Sequence, residues 1–347
     1  MAGDIRFSYN KSMDREANLL GADSMHSLYS LTNIGAKKII GKPNSFSGRS
    51  AEIIFASLLG HITKTMAHEE GHVFTARVNG AYETEINNDV YWWRGNLNDA
   101  ERIKVSTAGL DWVNVEAEKT INRNMGKKIN VSELIWFGLN QVNAPGYVFT
   151  KTDTPEKCLD DCRYNTNDTV KWYGLVGKSD LDIMDKLYSD LKVGAAWQAL
   201  GLFVPIYHGI KYWSAGKEYT MPNWWFNPQF DMTDVGVMYA LSVWHKSESG
   251  TTVHLRPGFG KNRVESGHIK ALEVELSIPY SNYVFGIRGG SYKTLKRSHS
   301  FGVSAEKVVS KNWSVGVDID QYSGYHRKNP KANSDWHETL IFAKVSF

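Results

Sequence analysis

From about Thr233 to its end the chain alternates between two kinds of residue, and a period of two confines this region to β-strands. Val235, Val237, Tyr239, Leu241 and Val243 alternate with Gly236, Met238, Ala240, Ser242 and Trp244. The same pattern sets Leu272, Val274, Leu276 and Ile278 against Ala271, Glu273, Glu275 and Ser277, and it persists through Ile319 to Ile341, Ala343 and Val345. Short turns such as Pro279-Tyr280-Ser281-Asn282 join successive strands into an antiparallel meander. Asp4-Ile5-Arg6-Phe7-Ser8-Tyr9 alternates likewise, and with it the strands number about eight, enough to close a small barrel. One strand face is apolar or aromatic; the other is small or charged. A water-soluble lipocalin-like barrel or sandwich turns the apolar face inward. A transmembrane barrel turns it to lipid and fills its lumen with charge.

Composition bears on that choice. Aromatics make up 12% of the residues, with 12 Trp and 17 Tyr, although mean hydropathy is −0.39. A polar chain rich in Trp and Tyr suits carbohydrate-binding proteins and membrane barrels with aromatic girdles. A net charge of +3, without any block of like charge, argues against nucleic acid as a partner. The chain's 347 residues suffice for two domains or one large one.

The chain ends at Phe347, with Val345, Ala343 and Ile341 on the same face. This ending resembles the terminal strand of Gram-negative outer-membrane β-barrels, in which a final Phe is read by the assembly machinery. Aromatics at strand ends (Tyr280, Tyr283, Tyr292, Trp313, Tyr322 and Tyr325) strengthen the likeness. The resemblance implies a place in the bacterial outer membrane with lipid as a partner. The start, Met-Ala-Gly-Asp-Ile, lacks a basic segment followed by an apolar one and looks like a start added to a mature sequence whose signal peptide is gone.

Between the first strand and the meander, from about Ser47 to Trp213, the period is helical. Ala51 to Val78 reads as one long helix with Ile53, Ile54, Leu58, Ile62 and Met66 on its inward side. Further helices are expected near Ala100–Asn122, Val131–Gln141 and Ser179–Trp213. The stretch Val193–Trp213 approaches the roughly 20 residues of a membrane span. Gln198, Pro205, His208 and Lys211 interrupt it, which points to a buried core helix. The expected fold is therefore α+β: a first barrel strand in residues 1–15, a helical metal-binding domain in 45–230, and antiparallel barrel strands in 231–347.

The long helix contains His68-Glu69-Glu70-Gly71-His72. His-Glu-x-x-His sets two imidazoles one turn apart on one face, at zinc-ligand separation. Glu69 then reaches a zinc-held water without binding the metal and can take its proton as general base. The plain alternative is a solvated helix with two ordinary histidines. With Gly71 before the second His, and small Ala76 and Gly80 after it, the segment resembles the zincin metallopeptidases, the site-2 protease type included. It departs from the latter in having no Leu-Asp-Gly ligand motif, and no third His follows as metzincins require. In the gluzincin branch a Glu on a downstream helix completes the site. The closest match is Asn114-Val115-Glu116-Ala117, making Glu116 the first choice of third ligand, ahead of Asp111 and Glu118. The resemblance implies a zinc metallopeptidase acting on peptide or protein. A non-enzymatic barrel (adhesin, lipid-binding or assembly factor) with a structural or vestigial metal is the main alternative, and a zinc enzyme of lipid or cell-wall amides is another.

His61, seven residues before His68 on the same face, is a candidate to orient a ligand. Tyr207 and His208 are candidates for stabilising an oxyanion. Cys158 and Cys162 are the only cysteines, spaced either for a small disulfide or for two thiols on one helical turn. Gly174-Leu-Val-Gly177-Lys178-Ser179 lacks the full phosphate-loop spacing. The triplets Asn130-Val-Ser132, Asn167-Asp-Thr169 and Asn312-Trp-Ser314 have no use as glycosylation sites in a bacterial envelope.

Overall fold

The computed structural model describes residues 4–10, 22–40, 45–87, 90–150, 152–158, 162–165, 167–310, 313–332 and 334–346. A first strand, β1 (Asp4–Asn10), precedes helices α1 (Ala22–Ile40) and α2 (Phe46–Val78) and the hairpin β2 (Glu83–Asn87) and β3 (Val90–Arg94). Then come α3 (Asp99–Asn124), β4 (Lys128–Ile129), α4 (Val131–Thr150), the single turn α5 (Pro155–Cys158), α6 (Asp168–Gly177), α7 (Leu181–Ala199), α8 (Phe203–Ala215) and β5 (Tyr219–Thr220). Eight strands finish the chain: β6 (Trp224–Met232), β7 (Val237–Lys246), β8 (Thr252–Lys261), β9 (His268–Tyr280), β10 (Tyr283–Lys293), β11 (Arg297–Ser310), β12 (Trp313–Ser323) and β13 (Trp336–Ser346). The fold is α+β. The meander begins at Trp224, a few residues before the expected boundary at 231, and α1 occupies a stretch where no element was expected.

The eight strands pair antiparallel in chain order, and β1 joins the far edge by pairing with β13, from Asp4 opposite Ser346 to Asn10 opposite Leu340. The resulting nine-stranded sheet runs from β1 to β6, and among the described residues these two edge strands do not pair. The sheet is therefore open, not the closed barrel expected. Sterics explain why. An eight-stranded barrel leaves room inside for side chains only, whereas here α3 lies against the sheet's inner face. Asn114 Nδ2 donates to Phe230 O at 3.2 Å, Gln229 Nε2 donates to Asn114 O at 3.0 Å, and Ser242 Oγ donates to Glu118 Oε1 at 2.7 Å. Helices fill the gap instead, with α1 packed on β1 and α7 on β6.

The sheet's polarity is inverted relative to a water-soluble domain. Phe259, Leu272, Ile278, Phe285, Ile287, Phe301, Val315 and Ile341 point outward and are exposed, while Arg256, Glu273, Ser298 and Tyr322 point inward and are buried. Inside, Arg256 Nη2 grips both oxygens of Asp231 at 2.8 Å, and Arg327 reaches Glu118 at 2.6 Å and Glu273 at 2.8 Å. Among the expected girdle aromatics, Tyr280, Tyr283 and Trp313 are exposed, but Tyr292, Tyr322 and Tyr325 belong to the buried interior. Phe347 lies outside the described residues.

The helical part has its main core around Trp172, Tyr173, Leu187, Leu191 and Phe230. The Val193–Trp213 stretch is two helices, broken by a 3-10 turn at Leu200–Leu202, and α8 exposes Phe203, Ile206, Tyr207 and Ile210 instead of burying them. No helix among the described residues is long and apolar enough to cross a membrane. The face of α2 expected to point inward is likewise open: Ile54, Leu58 and Ile62 are 60, 63 and 56% exposed.

Candidate metal centre

Four helices build the centre. Ser45 caps α2 by accepting from Gly48 N at 3.1 Å, and the helix runs unbroken through His68 and His72, which the i, i+4 spacing places side by side. α3 starts from a capping box in which Asn98 and Glu101 satisfy each other's backbone N–H. It crosses α2 at two glycines. A methyl group on Gly71 would lie 2.9 Å from Ala108 O and from the Trp112 ring; one on Gly109 would overlap His72 Nε2 and lie 2.7 Å from His68 Cε1. α4 contributes Asn143 and Tyr147, and α6 contributes Asp168.

Three atoms converge. Asp168 Oδ2 is 3.0 Å from His68 Nε2 and 3.1 Å from His72 Nε2, and the two imidazole nitrogens are 3.1 Å apart. Donor atoms about 2.0 Å from a tetrahedral zinc stand about 3.3 Å from one another, so the trio has the dimensions of one face of such a shell. His72 Nδ1 donates to Val105 O at 2.6 Å, which leaves the neutral ring a lone pair on Nε2. A lone pair aimed at a carboxylate oxygen is repulsive unless a proton or a cation lies between them. Asp168 Oδ1, also buried, has no hydrogen-bond partner among the described residues. These features fit a metal ion. Among the described residues this is the one group of three or more His, Cys, Asp or Glu side chains placed to hold one.

Electrostatics agree. Burial holds the His68 imidazole down at about 4 despite the neighbouring Asp168, which keeps the ring neutral and ready to ligate. Burial alone would raise Asp168, but His72 and His68 outweigh it and hold the carboxyl well below the usual carboxylate range. Burial lowers His72, and Asp168 and Glu69 more than reverse this, so it is the more basic of the two imidazoles. Tyr147 stacks on His68 at 5.2 Å between ring centres, and Asn143 Nδ2 lies 3.1 Å from His68 Nδ1. Glu69 is buried with a carboxylate oxygen 3.9 Å from His68 Nε2. Beside it, Glu70 is pushed up to about 7 by burial, against the pull of Arg77.

The third carboxylate is not the expected one. At about 100° per helical residue, Glu116 shares the face of Gly109 but stands two turns, about 10 Å, further along α3, where it pairs with Lys119 Nζ at 3.2 Å and Arg123 Nη2 at 3.6 Å. Asp111 and Glu118 lie on the opposite face, toward the sheet, bound to Lys104 and to Arg256 and Arg327. Asp168 comes from Asn167-Asp-Thr169, a triplet that looked idle. Asn167 Oδ1 accepts from Thr169 N and Val170 N, both at 3.1 Å, which makes it the cap of α6 and Asp168 that helix's first residue. An Asx cap followed by an acid was the available signal. His61 is exposed two turns before His68, and His208 stacks on Tyr219 at 3.6 Å, so neither His61 nor the Tyr207–His208 pair reaches the centre.

Cys158 and Cys162 are joined in a disulfide just before α6, and Gly174, from the segment that lacks the phosphate-loop spacing, packs on Cys162. No family model, curated protein or solved structure matches the chain.

Proposed function

We propose that the protein is a zinc-dependent hydrolase of peptide bonds seated in the bacterial outer membrane, with His68, His72 and Asp168 as ligands and Glu69 as general base. The observation that carries this reading is the convergence of three potential ligand atoms within 3.1 Å beside the Glu69 carboxylate. Zinc at these donors would supply Lewis acidity, polarising a carbonyl and acidifying water. The chain's own residues do the rest. Val105 O fixes the tautomer of His72, Tyr147 holds the plane of His68, and Glu69 accepts the proton of the attacking water. The outward apolar and inward charged faces of the sheet support the membrane location.

A quenched-fluorescent peptide library incubated with detergent-purified protein tests the activity. Cleavage should be abolished by a zinc chelator and should fall about 10²–10⁴-fold in Glu69→Gln. Cleavage that survives both would refute the assignment. One observation favours a second reading: His68, Glu69, His72 and Asp168 are all nearly inaccessible to solvent. A metal so enclosed is the mark of a structural site, in which case Glu69→Gln alters nothing and no peptide is cut.

A further inference from the structure

The open sheet leaves its wall incomplete, and helices stand in the gap with their apolar residues facing out. We propose that α2 and α8 face the hydrocarbon of the same bilayer as the sheet, so that strands and helices together form one lipid-facing wall. This rests on the reading of the sheet as membrane-embedded.

Four observations favour lipid as the occupant. First, the apolar stripe of α2 has the length of a bilayer core. Twenty residues separate Phe46 from Met66, about 30 Å at a helical rise. From Ala51 to Met66 the exposed positions are Ala51, Ile54, Leu58, His61, Ile62 and Met66, with no fixed charge among them. Lys64, on the same helix, is turned inward to donate to Asn143 Oδ1 at 2.6 Å. Second, α7 changes character along its length. Its exposed residues run Asp182, Asp185, Lys186, Ser189 and Lys192, and then Val193 and Ala196, with exposed Leu200 following in the 3-10 turn. A water–hydrocarbon boundary crossing the helix after Lys192 accounts for that switch.

Third, the apolar surface is continuous. The Phe46 and Trp213 rings meet at 4.8 Å, tying the start of α2 to the end of α8, and Arg49 Nε donates to Trp213 O at 2.9 Å. α8 also adjoins β6, where Val204 packs on the cluster that holds Trp225, and the flanking Trp224 and Phe226 are exposed. A protein partner covers one patch, whereas exposed large apolar residues here occur on α2, α8 and the sheet alike. Fourth, Arg256, Arg327, Glu118 and Glu273 are buried on the sheet's inner side and paired with one another. The stripe of α2 stops at Met66, two residues before His68, so the metal centre lies at the edge of the belt.

Both native cysteines are engaged in the disulfide, so single cysteines can be labelled without reductant. The full chain carrying Leu58→Cys, Ile206→Cys or Ile287→Cys, each with an environment-sensitive fluorophore, is reconstituted into phosphatidylcholine vesicles with and without brominated acyl chains. Lys186→Cys serves as the aqueous control. All four positions are exposed, so the labels do not disturb the core. The expected result is at least two-fold quenching at Leu58, Ile206 and Ile287 and none at Lys186. Quenching at Ile287 alone overturns the proposal and leaves the sheet in the membrane. Quenching at none of the three overturns both. Signals at Leu58 and Ile206 that respond to protein concentration but not to bromine identify a second copy as the occupant and overturn the proposal.

Discussion

Two glycines set how near α2 and α3 approach. Gly109 leaves the space the two imidazoles occupy, and Gly71 lets the α3 backbone come close enough for Val105 O to orient His72. Gly109→Ala should therefore displace the histidines, losing the metal and about 1–3 kcal/mol of stability. Metal analysis and thermal denaturation check both effects, and retention of metal would show that the rings can move aside. Gly71→Ala should destabilise by a similar amount. At this scale much was legible. His68, Glu69 and His72 stand as the local spacing required, because i, i+4 geometry is fixed by the helix itself. Asp168 was hidden because its partnership with His68 spans 100 residues of chain and depends on how α6 packs. Glu116, chosen for its likeness to a gluzincin ligand, shares the face of Gly109 but stands two turns further along α3, where it pairs with Lys119 and Arg123.

Among the elements, the entry to α6 and the start of α4 carry separable tests. The disulfide closes a small loop just before the cap that aims Asp168. By loop entropy it contributes about 2 kcal/mol. Replacing both cysteines by Ser should lower stability by about that amount and weaken metal binding, read by titration with a chromophoric chelator; unchanged affinity would mean that the Asn167 cap positions Asp168 unaided. At the start of α4, burial alone would raise Glu133, but His26, 3.0 Å away, and Arg123 outweigh it and hold the carboxyl down at about 2. Its folded pKa lies below its ordinary 4.5, so its contribution is full above about 4.5 and is lost as pH falls toward 2. That contribution is on the order of 3 kcal/mol. Glu133→Gln should lower the melting temperature at neutral pH and flatten its decline in acid; an unchanged acid limb would contradict the assignment. Of the helices, α2 and α3 were legible to within a few residues; α4 runs on to Thr150, the one helix expected over Ser179–Trp213 is α7 and α8, and neither α1 nor α6 was expected. Which way α2 faces was not, because a periodic apolar stripe marks a contact with something apolar and does not say whether that is core or lipid.

For the molecule as a whole, the period of two correctly gave an antiparallel meander with one apolar and one polar face. It could not give closure, which is decided by α3 lying against the sheet and by α1 and α7 flanking its edges. The centre too belongs to this scale, since its three donors come from helices that meet only in the finished fold. Metal content by elemental mass spectrometry tests it most directly, on detergent-purified wild type, His68→Ala, Asp168→Ala, Glu69→Gln and Glu116→Gln. The account predicts about one zinc per chain in wild type, Glu69→Gln and Glu116→Gln, and loss of that zinc in His68→Ala and Asp168→Ala. Zinc retained in Asp168→Ala but lost in Glu116→Gln, or no stoichiometric metal in wild type, would contradict it.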